Sequence, residues 1–336
     1  MNGTEGPSMI QIRVPVRVLL TVLPCLFFLY VNSVMLFALV KKPLLLESPR
    51  YILFGHLLFS DFLQVLLTTL LYIFALTMVR IITCVCIFVI QFTAITVKMS
   101  PINLAVMSLE RFVAICFPLR HAAIATSRVT RGAIAVMWTV ASLDSFTQLC
   151  LFFSLGNRSL TAQQVCRKKT VFQLQVYVIV NQVFTVANFV LVTVIIIYTY
   201  IATMVAVKCG SSCAYRAKVA HQTVILHALQ LCLYLISTLF NMINSSDLFN
   251  LDPGVALYVN HLLFSGLIIF PKFLSSLLYG LKDQTFKHVF KYYFTFGYRS
   301  SVENHPCKYH LLSLDVDACA ICGNRFTKFN SIFHYS

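Results

Sequence analysis

The chain has 336 residues, 59% of them hydrophobic and only 11% charged, with 26 Lys and Arg against 11 Asp and Glu. Soluble domains carry about 25% charged residues, so too few charges are present to cover a water-facing surface, and an integral membrane protein is the expected class. The net charge of +15 does not signal nucleic acid, because no basic run with interleaved aromatics occurs; basic residues beside apolar runs fit loops at anionic headgroups.

The N-terminal segment 1–15 is not expected to act as a cleavable signal peptide. Arg13 and Arg17 stand just before the first apolar run and no small-residue cleavage site follows it, so that run is expected to stay as a signal anchor. Seven apolar segments reach or approach the ~20 residues of a spanning helix: 16–40, 51–76, 83–116, 131–153, 172–206, 217–243 and 256–280. Between them lie polar or proline-bearing breaks such as "KKPLLLESPR" and "PLRHAAIATSRVTR". The expected fold is an all-α membrane protein, a seven-transmembrane helix bundle over 16–280 whose termini lie on opposite sides. With segment 1–15 extracellular, the inner loops hold Lys41, Lys42, Arg50, Arg120, Arg128 and Arg131 among others, and the positive-inside rule is met, though "CRKK" at 166–169 opposes it.

After the seventh span, residues 281–294 place Leu281, Phe286, Val289, Phe290 and Phe294 on one face and Lys282, Lys287 and Lys291 largely elsewhere. That pattern fits an interfacial amphipathic helix on the inner leaflet; a plain extension of the last span is the alternative. The polar segment 295–336 has no periodicity and is expected to be a disordered cytoplasmic tail. Its Cys319-Ala-Ile-Cys322, with Cys307, His305 and His334, lacks a second pair at zinc spacing, so free or lipidated thiols are expected and no metal site. Ser300 and Ser301 are candidate kinase targets. Asn2-Gly-Thr4 and Asn157-Arg-Ser159 are glycosylation sequons; Asn244-Ser-Ser246 also matches, close to a span. Most of the 12 cysteines act as small hydrophobes, leaving those on an oxidising side as disulfide candidates.

"MSLERFVAICFPLRH", residues 107–121, brings the long third apolar run to an adjacent acid and base, Glu110 and Arg111. Alone, the pair reads as interfacial snorkelling or as an ion pair whose opening frees a guanidinium. The stretch resembles the third-helix end of odorant receptors, a rhodopsin-like (class A) G-protein-coupled receptor family with the pattern M-A-Y-D-R-Y-V-A-I-C-x-P-L-x-Y. Met107, Arg111, Val113, Ala114, Ile115, Cys116, Pro118 and Leu119 match, and Glu110 and Phe112 are conservative departures. "LESPRYILFGHLLFSD" resembles the family's L-H-T-P-M-Y-F-F-L-x-x-L-S-x-x-D at Leu46, Pro49, Tyr51, Leu57 and Asp61; Asn32 and Trp138 stand at its first- and fourth-helix positions. The opening "MNGTEGP" resembles that of rhodopsin, as a native start or an added tag, but Ile269 stands where an opsin would carry its retinal lysine.

The resemblance implies a switch made of Glu110, Arg111 and Tyr279. Tyr279 ends "SSLLY" where the family has N-P-x-x-Y, so the kink of the missing proline is absent there. It also implies a disulfide from the top of the third helix to the second outer loop, Cys86 to Cys166, with Cys84 a close competitor. Asp61 lies mid-span, where a carboxylate is costly and usually functional. By resemblance it joins Asn32, Ser100 and Ser275 in a polar cluster that holds Na⁺, or else forms an ion-free hydrogen-bond hub; no other cofactor is expected. Lys98 and Lys272 are span lysines and hence functional candidates. Lys98 either meets an anionic ligand or pairs with Asp61 or with carbonyls near Pro101. The expected ligand site lies in the outer half of the bundle at Thr93, Val97, Lys98, Asn181, Asn188 and Tyr234; Thr93 stands where amine receptors place an aspartate, against an aminergic ligand.

The function these features imply is an odorant-type receptor of the plasma membrane, N-terminus extracellular, that takes a small-molecule odorant and activates a heterotrimeric G protein. A non-olfactory class A receptor is the alternative. A transporter would carry repeated halves or paired Gly/Pro interruptions, which are missing, and an enzyme has no nucleophile–base set or metal signature in the spans.

Overall fold

The computed structural model describes residues 7–155, 161–166, 171–172 and 174–209, and beyond them Ile225, Leu229, Cys232, Gly266, Ile269, Phe270, 272–274, Leu277, Lys287, Phe290 and 292–294. The elements are α1 (Pro7–Val40), a 3₁₀ turn (Pro43–Glu47), α2 (Pro49–Leu76), β1 (Arg80–Ile82), α3 (Thr83–Cys116), α4 (Pro118–Ile124), α5 (Ser127–Leu155), β2 (Gln163–Val165) and α6 (Gln175–Cys209). Among the described residues, five segments are long and apolar enough to cross a membrane: Val22–Val40, Pro49–Ala75, Thr83–Cys116, Ser127–Ser154 and Gln175–Ala206. The shortest, 19 residues, rises about 28 Å, which matches a hydrocarbon core about 30 Å thick. Most of the sixth and seventh expected spans, of the helix expected over 281–294 and of the tail lies outside the described residues.

Prolines punctuate these helices. Pro49 and Pro118 sit in the first turns of α2 and α4, where the missing N–H has no intrahelical partner to lose. α3 has the bounds expected for the third span, whereas α1 begins nine residues before the expected 16, at Pro7. The break expected from 117 to 130 is itself largely helical: Pro118 ends α3 and starts α4, and α5 begins at Ser127. An all-α expectation also omitted a small antiparallel pair, β1 with β2, in the register Arg80↔Val165, Ile81↔Gln164 and Ile82↔Gln163. Thr83 extends the pair, since its backbone N–H and Oγ1 both donate to the Ala162 carbonyl at 3.0 and 2.8 Å.

Helix α3 occupies the centre. Met99, Ile102 and Met107 of α3 pack with Leu53 and Leu57 of α2, Met137 and Ala141 of α5, and Val192 and Ile196 of α6 in one buried cluster. α1 packs on α2 through Met35, Ala38 and Leu39 against Phe54 and Leu58. Gly55 permits this approach, because a Cβ there would lie 2.7 Å from Leu39 Cδ2. Side-chain pairings fix the directions. Ser100 meets Asp61 while Asn103 meets Leu53, so α2 and α3 are antiparallel. Gln91 meets Gln148 while Lys98 meets Asp144, so α3 and α5 are antiparallel. α6 runs with α3, since Tyr177 packs beside Ile87 and Ile90 and Thr199 bonds Ser108. Asn32 meets Leu58 while Leu39 meets Gly55, so α1 and α2 are antiparallel, and successive long helices thus alternate in direction, as chain segments that cross a bilayer in turn must. Their outward faces carry exposed Leu23, Phe88, Phe146, Phe153 and Val194, an apolar coat suited to lipid rather than water.

Candidate functional site

At one end of the bundle α3 delivers Glu110 and Arg111. Arg111 Nε lies 3.5 Å from Glu110 Oε2, and the other carboxylate oxygen, Oε1, lies 3.3 Å from His121 Nε2. The Glu110 side chain is only 10% exposed and that of Arg111 26%. Pro118 makes the second contact possible, because the turn from α3 into α4 folds His121 back over Glu110. Phe112, next along α3, packs edge-on against Phe117 and Tyr198 and so sets α3 against α6 at this end. Tyr279, the expected partner switch, lies outside the described residues. In the same seventh segment Gly266 and Ile269 have π-helical backbone, a distortion frequent at functional positions, and Pro271 follows them in the sequence.

Half-way along α3, Ser100 Oγ donates to Asp61 Oδ1 at 2.5 Å, a contact between two residues of the expected polar cluster. Asp61 has no exposed surface. Asn32 does not reach it: its Nδ2 donates instead to the Leu58 carbonyl at 3.4 Å, one turn before Asp61 on α2. The third member is Lys272, whose Nζ lies 2.5 Å from Asp61 Oδ1 and 2.6 Å from Ser100 Oγ. A sodium site or an ion-free hydrogen-bond hub was expected at this carboxylate; the Lys272 ammonium lies on its Oδ1. Ser275 lies outside the described residues.

Lys98 does not pair with Asp61. It forms a buried ion pair with Asp144 of α5. The reason is helical geometry: at 100° per residue Lys98 and Ser100 point about 200° apart, so Ser100 faces α2 while Lys98 faces α5. Gln91, two turns before Lys98, continues the same face. Gln148 Nε2 donates to Asp144 Oδ1 at 2.7 Å, Gln91 Nε2 to Gln148 Oε1 at 3.5 Å, and Ser145 Oγ to the Gln91 carbonyl at 3.4 Å. Asp144, Gln148 and Gln91 are 1%, 1% and 4% exposed. The sequence reading missed this seam; the available signal was an acid and a glutamine four residues apart inside an apolar span, "LDSFTQLC". Trp138 closes another tie across α5, with Nε1 donating to His56 Nε2 of α2 at 3.1 Å.

At the end opposite Glu110, Cys86 of α3 is bonded to Cys166, which follows β2, with Cα atoms 5.5 Å apart. Cys84, its competitor in the sequence, is a free exposed thiol. The bridge is buried with Ile87, Ile90, Phe152, Phe172 and Tyr177. Of the expected ligand residues, Thr93 is 8% exposed and gives its hydroxyl to the Val89 carbonyl of its own helix at 2.7 Å. Asn181 and Asn188 lie on α6, both half-buried. Asn188 Oδ1 is a buried acceptor without a hydrogen-bond partner among the described residues. Val97 precedes Ser108 by as many residues as Asn188 precedes the Thr199 that bonds it, so on two helices running the same way they stand at one depth. Tyr234, Asn2 and Asn157 lie outside the described residues.

The comparisons agree with this architecture. Residues 31–304 match the family described as the seven-transmembrane receptor (rhodopsin family). The chain is similar to odorant receptor 131-2 of Danio rerio, 33% identical over 290 residues that cover 79% of this chain and 82% of that protein. It is also similar to olfactory receptor 2T1 of Homo sapiens, 27% identical over 61% of this chain and 59% of the relative. With olfactory receptor 1073 of Rattus norvegicus it shares 38% identity over 71 residues, 21% of this chain and 23% of the relative.

Proposed function

From the premise that the chain belongs to the rhodopsin family of seven-transmembrane receptors, and is therefore a multi-pass membrane receptor and not an enzyme, we propose that it is an odorant-type G-protein-coupled receptor. Support for the type comes from the similarity to an odorant receptor along most of both chains. In this reading segments 217–243 and 256–280 supply the sixth and seventh spans. Residues 281–294 form the interfacial helix, with Phe290 buried against α1 and α2 and Lys287 exposed.

Orientation follows from the disulfide. Disulfides persist on the oxidising side, so the end bearing Cys86–Cys166 is extracellular. α1 runs antiparallel to α2 and so parallel to α3, which sets its N-terminus on that side too and the tail in the cytoplasm. Asn2 and Asn157 then face the glycosylating compartment. A small odorant enters the outer half of the bundle between α3 and α6, with Val97 and Thr93 on one wall and Asn181 and Asn188 on the other; Tyr234 of the sixth span completes the set. The unpartnered Oδ1 of Asn188 is the polar anchor, a buried acceptor waiting for a donor. Lys98 belongs to the wall through its bond to Asp144 rather than as a free cation.

The observation that carries the reading is the Glu110 carboxylate held between Arg111 and His121 at the opposite, cytoplasmic end of the same helix. A ligand that binds better to the state in which this contact is open shifts the population toward it, and the freed guanidinium then meets the G protein. The test is cAMP production in cells that display the chain together with an olfactory-type G protein, against a panel of small odorants that includes acids. An odorant-dependent rise is expected. A receptor at the surface that gives no response to any odorant and instead carries substrate across the membrane overturns the proposal.

A further inference from the structure

We propose that Lys272 is the resident cation of the bundle interior, a tethered ammonium that neutralises Asp61 and leaves the receptor's core without a sodium site. Asp61 has no exposed surface, and an isolated carboxylate in apolar surroundings must find a positive partner or give up its charge. Lys272 Nζ supplies the charge at 2.5 Å from Asp61 Oδ1. Ser100 Oγ closes a triangle, 2.5 Å from the same carboxylate oxygen and 2.6 Å from the ammonium. The three side chains come from α2, α3 and the seventh segment, so the ammonium joins three parts of the chain at one point. Its own side chain is 12% exposed, buried enough for the pair to be poorly screened.

The charge count decides against a second cation. One carboxylate faces one ammonium, and a sodium ion at Oδ1 would lie in contact with a like charge in a weakly screening interior. His56, the other titratable side chain of α2 beside Asp61, accepts the Trp138 indole hydrogen at Nε2, so that nitrogen carries no proton and adds no charge. Asn32 does not join the triangle: its Nδ2 donates to the Leu58 carbonyl. Oδ2 of Asp61 has no partner among the described residues, and once Lys272 is removed both carboxylate oxygens and the Ser100 hydroxyl become available oxygen ligands for a small cation. The inference is independent of which ligand the receptor takes.

The experiment compares the thermal unfolding midpoint of the purified full-length receptor in sodium chloride and in choline chloride at equal ionic strength. The wild-type midpoint is expected to be the same in both salts. Lys272→Met is expected to unfold several degrees lower in choline chloride and to recover most of that loss in sodium chloride, because sodium now fills the place of the ammonium. The double variant Asp61→Asn with Lys272→Met, which removes both charges, is expected to lie near the wild-type midpoint and to ignore sodium. A wild-type receptor stabilised by sodium over choline overturns the proposal, as does a Lys272→Met variant with the wild-type midpoint in choline. If the single variant does not fold, the double variant decides: a stable, sodium-blind protein supports the proposal and a second failure to fold overturns it.

Discussion

Glu110 offers one oxygen to Arg111 and the other to His121, so the closed state of the proposed switch has two basic claimants on one carboxylate. Each contact is partly exposed, and such pairs are worth up to about 1 kcal/mol. Glu110→Gln should therefore raise ligand-independent signalling by roughly fivefold at most, read as basal cAMP at matched surface expression. Arg111→Ala should remove odorant-evoked cAMP altogether while leaving surface expression intact, because it deletes the group proposed to meet the G protein; full coupling in that variant would contradict the role. The acid–base pair itself was legible in the sequence, as a charged dipeptide closing an apolar run. His121 was not, because its contact depends on how Pro118 turns the chain, and a pattern match at that position records only a departure from tyrosine.

The seam between α3 and α5 makes a different demand. Lys98 and Asp144 are buried as a pair with Gln148 completing the carboxylate's bonds, so removing either charge strands the other. Lys98→Met and Asp144→Leu should each cost roughly 3–5 kcal/mol, and the double variant should recover most of that loss. Unfolding of the purified single and double variants in detergent measures the coupling, and additive losses would show that the two side chains do not act as a pair. The apolar spans were readable because a bilayer crossing needs an apolar run of at least about 20 residues, and the third had its bounds in the sequence because the Met78–Arg80 break and Pro118 flank it. The helix α4 and the β1–β2 pair were not, since seven- and three-residue elements in polar loops carry too few positions for a period to show. Asp144 escaped for another reason. Its partner lies on another helix, and sequence spacing along one helix contains no record of which neighbour a face will meet.

The bundle has two unlike ends, one cross-linked and one held by ions. The Cys86–Cys166 bridge and the β1–β2 ladder tie the loop after α5 to the start of α3, which fixes the end of the bundle where the proposed ligand site opens. Cys86→Ser, Cys166→Ser and the double variant should lower surface delivery to the same degree, measured by antibody to the displayed N-terminus on intact cells. A double variant worse than either single would mean that the two thiols act separately. At the other end no disulfide joins the helices among the described residues, and the contacts there are the ones a two-state element can exchange.

Pro101 and the three polar stations around it give α3 a mechanical character of its own. Ser100 is bonded toward α2, Lys98 toward α5 and Ser108 toward α6, so the helix is pinned on three sides within eleven residues. Turning it about its long axis by even one residue, about 100°, would strand a buried ammonium, a carboxylate and the Ser100 hydroxyl at once. α3 is thus an axle rather than a rotor: under the proposed function, what a ligand sets in motion is the set of segments that swing around it.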